Sequence, residues 1–269
     1  MLHVNLVMIE FKNVSKKFGG TNSVLDNISF LIEKGSFVYL VGPTGSGKTT
    51  IFRLIIRDLF PTEGSITLDQ WDLFTLPKSK IPHLRRKVGV VFQDLKLLLD
   101  RTVIENVMLP LQFSGVKDEE ARRRAEEIII DVGLAEKLNK FPLQLSGGEK
   151  QRVAMARALV FNPEIILADE PTGNLDIQTS FQILDLLKSI NKRGATVFMA
   201  THNEKLIDSG GDRIIIVERG RIVEDKKARQ KSARADHETG KKAKDEKEEL
   251  KKDKIKLESL VEEKGKNVS

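Results

Sequence analysis

Residues 42–49 read Gly-Pro-Thr-Gly-Ser-Gly-Lys-Thr, and they constrain the fold more than any other part of the chain. They follow the apolar run 37–41 and precede a run of helical character at 50–60, which predicts a glycine-rich connection from a buried strand to a helix. Glycines allow backbone N–H groups to converge on phosphate oxygens, and the helix dipole favours the same anion. With glycine at about 7% of residues, a chance match in a chain of this length has a probability on the order of 1%. The segment predicts a nucleotide phosphate site in an α/β fold.

The side chains of this loop indicate the nucleotide chemistry. Lys48 is predicted to reach the β- and γ-phosphates, and the Thr49 hydroxyl to ligate Mg²⁺, so the expected cofactors are ATP and Mg²⁺. The residues predicted to contact ATP here are Gly42, Pro43, Thr44, Gly45, Ser46, Gly47, Lys48, Thr49 and Thr50.

A second apolar run, 165–168, ends in Asp169 and Glu170. In an open α/β sheet, ligands bind at the carboxyl ends of the strands, so both carboxylates are expected near the phosphate loop. Asp169 is predicted to act on the metal side, and Glu170 as the base that orients and deprotonates the attacking water. A strand that ends in acidic residues is common, so this interpretation depends on the phosphate loop.

The strand patterns predict two different sheets. Near-continuous apolar runs at 37–41, 165–168, 196–200 and 214–217 are typical of a parallel sheet covered by helices on both faces. The N-terminal segments instead alternate with period two, at Ile9 and Phe11 and then at Ile28, Phe30 and Ile32, which indicates a half-buried antiparallel sheet.

Helical patterning dominates residues 85–160, with Asp118 as a predicted cap and Gly133 as a predicted stop. This stretch lies between two predicted core strands and is interpreted as a helical insertion. The predicted fold class is therefore α/β, with a parallel core, an N-terminal antiparallel β-subdomain and an inserted helical subdomain.

Composition excludes several kinds of chemistry. The chain of 269 residues has no cysteine, which excludes disulfides, thiol nucleophiles and cysteine zinc sites. No apolar run approaches the 18 or so residues that span a bilayer, and the N-terminus lacks the layout of a signal peptide. We therefore expect a cytoplasmic protein, with residues 1–7 as an extension before the first strand.

Charge is concentrated at the C-terminus. Residues 225–269 contain 15 Lys and Arg and 11 Asp and Glu, which leaves 30 and 28 for the rest of the chain. The predicted domains are a folded body at 8–224 and a tail at 225–269 that is disordered or a solvated helix, with a short coiled-coil contact through Leu250 and Leu257 as the alternative. The clusters 85–87 and 122–124 are interpreted as solvated helix surface, and no nucleic-acid partner is expected.

Residues 145–152 read Leu-Ser-Gly-Gly-Glu-Lys-Gln-Arg. Ser146 and Glu149 have the spacing of a helix capping box, and the two glycines would make a second anion site at a helix N-terminus. The segment also resembles the signature sequence of ABC ATPases. That resemblance implies that the signature of one chain closes on ATP bound by another, giving a homodimer with sandwiched nucleotide. The signature residues are Leu145, Ser146, Gly147, Gly148 and Glu149.

The resemblance extends to four other positions. It implies that Gln93 contacts Mg²⁺ and water, that Asp176 belongs to the D-loop, and that His202 is the switch histidine. Phe18 occupies the position of the adenine-stacking aromatic, which is more often tyrosine in the family; stacking needs only a π-face, and a core role is the alternative. With these positions, the predicted catalytic residues are Lys48, Gln93, Glu170 and His202, and the predicted metal ligands are Thr49, Gln93 and Asp169.

Residues 91–94 and 97–107, above all Asp100-Arg101-Thr102-Val103, are similar to the cell-division branch of the family, the FtsE type. This resemblance implies an integral membrane partner of the FtsX type, docked near Gln93 and the helical insertion. It also implies a peripheral location on the inner face of the membrane and control of cell-wall hydrolysis by ATP. The alternatives are an ATPase for lipoprotein release or macrolide export, and a soluble ABC ATPase that acts on DNA or the ribosome.

Overall fold

The computed structural model describes residues 7–19, 23–207 and 213–226. Within them the strands are β1 Val7–Lys17, β2 Ser23–Glu33, β3 Phe37–Val41, β4 Glu63–Leu68, β5 Trp71–Asp72, β6 Val88–Val91, β7 Ile165–Asp169, β8 Thr196–Thr201, β9 Arg213–Glu218 and β10 Arg221–Lys226. The helices are α1 Lys48–Ile55, α2 Ile81–Lys87, α3 Val103–Phe113, α4 Asp118–Asp131, α5 Gly147–Leu159, α6 Ile177–Lys192 and α7 Glu204–Ile207.

The core is a six-stranded sheet in the order β10-β9-β3-β8-β7-β6. Every pairing except that of β9 with β10 is parallel, and all residues of β7 and β8 are buried. The four near-continuous apolar runs thus form parallel strands, as predicted. Strand β10 pairs with β9 in the antiparallel direction, and the sequence pattern does not predict it.

Strand β10 also moves the predicted end of the folded body. It runs to Lys226, two residues beyond the expected boundary at 224, because Asp225 accepts hydrogen bonds from the guanidinium of Arg213 on β9 at 2.7 and 2.5 Å. The predicted extension at 1–7 is one residue too long, because Val7 already belongs to β1 and pairs with Glu33 of β2. Residues 1–6 and the tail from 227 onward, with its coiled-coil alternative, lie outside the described residues.

The antiparallel β-subdomain is confirmed as a sheet in the order β2-β1-β4-β5. The period-two residues Ile9, Phe11, Ile28, Phe30 and Ile32 are all buried. The rings of Phe11 and Phe30 stack across β1 and β2 with centroids 4.5 Å apart, as expected for a cross-strand aromatic pair. This sheet therefore has its own apolar face, on which the β3 and α1 side of the core packs.

The helical insertion is confirmed, since α3, α4 and α5 lie between β6 and β7. The predicted cap at Asp118 is wrong: α4 begins at Asp118, and the residue before it, Lys117, makes no side-chain cap. Asp118 instead accepts a hydrogen bond from Gln112 at 2.9 Å and places a carboxylate in the first turn, where the helix dipole favours it. The predicted stop at Gly133 is confirmed, because Gly133 follows the last turn with φ +76°.

Helix α1 is shorter than the predicted run 50–60 and ends at Ile55. Arg57 adopts a left-handed conformation with φ +56°, and its guanidinium donates to the carbonyl oxygens of Phe74 and Leu76 at 3.4 and 2.7 Å. These tertiary contacts end the helix at a point that local pattern does not indicate. Among the described residues, no helix is long and apolar enough to cross a membrane.

The loop before α3 is fixed by one buried amide, that of Asn106, which is fully buried. Its oxygen accepts from the backbone N–H of Leu98 at 2.9 Å, and its nitrogen donates to the carbonyl oxygens of Leu98, Arg101 and Thr102 at 2.9–3.0 Å. Asn106→Ala should lower the free energy of unfolding by about 3 kcal/mol, because buried backbone groups lose their partners. Denaturant unfolding measures this, with Gln112→Ala on the exposed face of α3 as the control expected within about 0.5 kcal/mol of the parent. Equal effects of the two substitutions would contradict the assignment.

Candidate functional site

The loop from Gly42 to Gly47 joins β3 to α1, as the sequence predicts. Gly47 precedes the helix with φ +109°, and a Cβ there would lie 2.6 Å from Cδ2 of Leu25, so both its conformation and its packing require glycine. The Lys48 ammonium donates to the carbonyl oxygens of Gly42 and Pro43 at 2.7 and 3.1 Å. The lysine thereby closes the loop on itself, and a glycine-rich loop at a helix N-terminus is suited to an anion.

A cavity of about 220 Å³ lies over this loop. It brings together residues from four separate segments that the sequence analysis singled out: the loop, the end of β6, the end of β7 and the end of β8. Its lining residues are Val24, Thr44, Gly45, Gly47, Lys48, Thr49, Thr50, Gln93, Asp169, Glu170 and His202. Of the other predicted contacts, Gly42 and Ser46 are buried within the loop, and Pro43 is exposed outside the lining.

Asp169 joins β7 to α1. Its Oδ2 accepts a hydrogen bond from the Thr49 hydroxyl at 2.7 Å, whereas its buried Oδ1 has no hydrogen-bond partner. Burial raises the pKa of Asp169, and the Thr49 hydrogen bond opposes that rise only in part. A buried carboxylate oxygen without a partner is unfavourable unless a cation or donor reaches it. Asp169 is therefore suited to a ligand that brings positive charge.

Glu170 follows β7 with φ +48°, a conformation that is uncommon for a residue other than glycine. Its N–H donates to the Ala200 carbonyl at 3.0 Å, which ties this conformation to β8. Its carboxylate lies between two cationic or polar groups, with Lys48 Nζ at 3.5 Å and His202 Nδ1 at 3.0 Å. Strained backbone of this kind is often found at functional sites. The geometry holds one carboxylate over the cavity, as the sequence predicts.

The donor set suits a hard divalent cation. Thr49, Asp169 and Gln93 offer hydroxyl, carboxylate and amide oxygens along the same cavity. Mg²⁺ prefers such oxygen ligands, needs only one or two carboxylates from the protein, and fills its other positions with water and phosphate oxygens. Within the described residues there is no cluster of three His, Cys, Asp or Glu side chains, the set on which a dedicated protein cage would depend. The residues present therefore fit Mg²⁺ bound together with a nucleotide.

The signature segment, residues 145–149, begins α5 with the predicted capping box. The Ser146 hydroxyl accepts from the N–H of Glu149 at 3.3 Å, and a Glu149 carboxylate oxygen accepts from the N–H of Ser146 at 2.8 Å. The Ser146 backbone and the ammonium of Lys137, at 3.1 Å, lower the pKa of Glu149. Ser146 and Gly147 are exposed, and neither lines the cavity over residues 42–49.

The predicted D-loop residue packs with the signature segment. Asp176 caps α6, accepting from the N–H and hydroxyl of Thr179 at 2.9 and 2.6 Å, and these bonds lower its pKa. A Cβ at Gly148 would lie 2.6 Å from Cγ2 of Thr179. The N-termini of α5 and α6 therefore approach as one unit, apart from the cavity that holds Lys48.

Phe18 and Val24 differ from expectation in opposite ways. Phe18 is 48% exposed, so the alternative that it belongs to the core is wrong. Its ring lies beside Lys16, with Nζ 4.9 Å from the ring centroid. Phe18 does not line the cavity. Val24, at the start of β2, lines the cavity and was missed. No sequence signal distinguishes this valine from others in a strand, since its role depends on how the two sheets meet.

The close approach of Gly148 to the Thr179 methyl group gives a direct test of the packing between the N-termini of α5 and α6. Gly148→Ala should lower the free energy of unfolding by about 2 kcal/mol through overpacking against the Thr179 methyl. Thr179→Ser removes that methyl and keeps the hydroxyl that donates to Asp176, so the loss should shrink in the double variant. Denaturant unfolding of the four proteins measures the coupling. If Gly148→Ala costs the same in both backgrounds, the two helix ends do not pack as described.

Comparison with known proteins places this site in a family. The family model described as "ABC transporter" matches residues 25–173. The cell division ATP-binding protein FtsE of Bacillus subtilis is 47% identical over 218 residues, covering 81% of this chain and 96% of that protein, and FtsE of Escherichia coli K12 is 42% identical over 215 residues, covering 80% and 97%.

A solved structure agrees with the sequence matches. The ATP-binding cassette MJ0796, a dimer in a post-hydrolysis state bound to ADP and Pi, superimposes with a TM-score of 0.75 at 39% identity, covering 82% of this chain and 99% of that one. The cavity over residues 42–49, the capped α5 and these matches lead to one conclusion. This chain is an ATP-hydrolysing member of the ABC transporter family.

Proposed function

We propose that the chain is the ATPase subunit of an FtsEX-type complex, which passes conformational change through a membrane partner to control cell-wall hydrolysis during cell division. The observation that carries this proposal is the match to proteins named FtsE over nearly their whole length, at 42–47% identity. The alternative of lipoprotein release or macrolide export would use the same chemistry with a different membrane partner and has less support from these relatives.

In the proposed mechanism, the site residues divide between binding and proton transfer. Lys48 leaves the carbonyl oxygens of Gly42 and Pro43 to pair with phosphate, which is a stronger charge-assisted acceptor. Glu170 accepts the proton of the attacking water, and His202, 3.0 Å from that carboxylate, holds its orientation and reaches toward the γ-phosphate. The water oxygen bonds to the γ-phosphorus as the bond from that phosphorus to the bridging oxygen breaks, so that ADP leaves and phosphate is released. Thr49, Asp169 and Gln93 are the residues that would hold Mg²⁺, which would neutralise phosphate charge when bound.

We further propose that the working site needs two chains. The signature segment, exposed at Ser146 and Gly147, and Asp176 carry anion-binding and capping groups, yet they lie outside the cavity over residues 42–49. A helix N-terminus with an exposed glycine favours an anion, and a second copy would bring it over the first copy's nucleotide. The relative with bound ADP and Pi is a dimer, which supports this arrangement. Phe18, exposed at the end of β1, is assigned to the adenine ring.

Glu170→Gln tests the proposed base and the two-chain site together. ATP affinity should be kept, whereas the hydrolysis rate should fall by about 100-fold or more because the water loses its proton acceptor. Light scattering at saturating MgATP should then detect a dimer that accumulates before hydrolysis. Glu164→Gln, the same substitution on an exposed residue just before β7, is the control and should hydrolyse ATP like the parent. A monomeric Glu170→Gln protein under these conditions would contradict the two-chain site.

A groove beside the helical insertion is the proposed docking site for the membrane partner. It encloses about 730 Å³ and is lined in part by Ile56, Arg85, Arg86, Phe92, Leu109 and Phe113. Phe113 is 84% exposed at the end of α3, a large apolar surface to leave in water. A groove lined by both apolar and charged side chains is suited to an amphipathic segment from another protein.

The two basic clusters predicted as solvated surface differ in a way that bears on this groove. Arg122, Arg123 and Arg124 each pair with a glutamate of α4, at 2.9, 2.6 and 2.6 Å. Arg85 and Arg86, which line the groove, have no carboxylate partner among residues 7–19, 23–207 and 213–226. Their charge remains available to an acidic partner.

This contrast provides a matched experiment on the partner. Arg85→Gln/Arg86→Gln should weaken co-purification of an FtsX-type protein from native membranes by about fivefold, since two ion pairs at the interface would lose roughly 1 kcal/mol in total. Arg122→Gln/Arg123→Gln removes the same charge from paired positions and should retain the partner. Equal loss in both variants would contradict the groove. Recovery of a lipoprotein-release permease in place of an FtsX-type protein would contradict the cell-division assignment.

The location and the tail follow from the same proposal. We propose a cytoplasmic protein held at the inner face of the membrane by its partner, with no nucleic acid bound. The proposed ATPase domain is 8–224, extended to 226 by β10, and the tail is proposed to be an appendage of that domain.

A further inference from the structure

The segment after Gln93 has an unusual backbone. Leu95 and Lys96 are consecutive residues in the left-handed conformation, with φ +54° and +48°, and neither is glycine. Each such residue is uncommon, and two in succession are held only when surrounding groups enforce them. The N–H of Leu95 donates to the Phe92 carbonyl at 3.1 Å, and the Lys96 ammonium lies 5.4 Å from the Phe92 ring centroid. These local contacts leave the carbonyl oxygens of Leu95 and Lys96 to be satisfied from elsewhere.

Arg157 of α5 satisfies both carbonyl oxygens. Its Nη1 donates to the Lys96 oxygen at 2.6 Å and its Nη2 to the Leu95 oxygen at 2.5 Å. Arg157 is half-buried, and its desolvation lowers the pKa of Arg157 against a smaller opposing effect of Asp94. The planar guanidinium offers two nitrogens side by side, one for each oxygen, whereas a lysine in its place would have to reach both oxygens from a single nitrogen on a shorter side chain.

The position of Arg157 connects three features of the molecule. It lies near the end of α5, whose first turn follows Ser146; the two residues are eleven positions apart, which is roughly 16 Å along the helix. The loop that it holds begins at Gln93, which lines the ATP cavity. Arg157, Lys96 and Phe92 also line the groove beside the helical insertion. One side chain therefore joins the signature helix, the Gln93 loop and the groove wall.

We propose that Arg157 is a positioning residue: by holding the carbonyl oxygens of Leu95 and Lys96, it ties Gln93 to the signature helix. Movement of α5, or occupation of the groove, then shifts Gln93 at the ATP cavity. The part of this inference that concerns hydrolysis rests on the proposed function of Gln93. The part that concerns loop geometry does not depend on it.

The experiment compares three variants in the full chain. Arg157→Met removes both hydrogen bonds and keeps an apolar side chain of similar length, and Arg157→Lys keeps the charge but replaces the two-nitrogen fork by a single, shorter donor group. Arg152→Met is the control, because Arg152 is on the same helix and donates to the Val132 carbonyl at 3.0 Å and to Gln182 at 3.2 Å, away from Gln93. A loss that reflects only a weakened α5 would appear in the control as well.

Loop geometry is measured with a spin label at Asp94→Cys, since the chain has no other cysteine. Arg157→Met should increase label mobility, Arg157→Lys should increase it less, and Arg152→Met should leave it unchanged. The same mobility in the parent and both Arg157 variants would overturn the proposal. If Arg157→Met does not fold, the label mobility of Arg157→Lys is compared with that of the parent, and equal mobility overturns the proposal.

Hydrolysis is measured in a double-mutant cycle with Gln93→Ala. Arg157→Met should lower kcat by roughly tenfold to 100-fold, the effect of misplacing a group by about 1 Å, while the Kd for ATP changes by less than about twofold. In the Gln93→Ala background the same substitution should have little further effect, because it acts through Gln93. Fully additive losses would overturn the positioning role. If Gln93→Ala alone keeps full activity, the proposed function of Gln93 fails, and the spin label still tests the loop geometry.

Discussion

The hydrogen bond from the Thr49 hydroxyl to Asp169 holds two distant parts of the chain in the relation that the site requires. It joins the first turn of α1 to the end of β7 across 120 positions of sequence, at 2.7 Å. Strands β3 and β7 are not neighbours, since β8 lies between them, so the contact also depends on the parallel register of all three. Because the strands end at the same edge, the lysine of one loop and the carboxylates of another meet over one cavity. The parallel sheet is thus a means of aligning strand ends as well as a core.

Local chemistry made much of the site predictable. The loop at 42–49, the acidic end of β7 and the Ser146 capping box each depend on residues within a few positions of one another, and the structure contains all three as expected. What the sequence could not indicate depends on distant partners. Helix α1 ends early because Arg57 donates a hydrogen bond to the Leu76 carbonyl, and β10 continues because Asp225 accepts hydrogen bonds from Arg213. The roles of Val24, Asn106 and Arg157 likewise depend on which backbone groups the fold brings near them.

The two halves of the predicted site are assembled by different means. The half around Lys48 is closed by hydrogen bonds to carbonyl oxygens of its own loop, and it sits at the edge of the parallel sheet. The other half is an approach of two helix N-termini, made possible by glycine at 148 and capped by Ser146 and Asp176. The hydrogen bonds that shape each half come from residues of that half, so each can form without the other. This independence is what a site shared between two chains requires, because both halves must exist before the chains meet.

The cavity also holds unfavourable features that a ligand would relieve. Asp169 Oδ1 lacks a hydrogen-bond partner, burial raises the pKa of Asp169, and Glu170 is held in a left-handed conformation. The Ser46 hydroxyl, buried within the adjoining loop, also lacks a partner. Groups of this kind destabilise the free protein, and they become favourable only when a cation and hydrogen-bond donors arrive. Any ligand that binds the folded form alone stabilises it in proportion to RT ln(1 + [L]/Kd), which is about 2.7 kcal/mol at one hundred times Kd. The same groups that weaken the empty site therefore make its stability depend on the bound ligand, and that dependence links occupancy of the cavity to the rest of the fold.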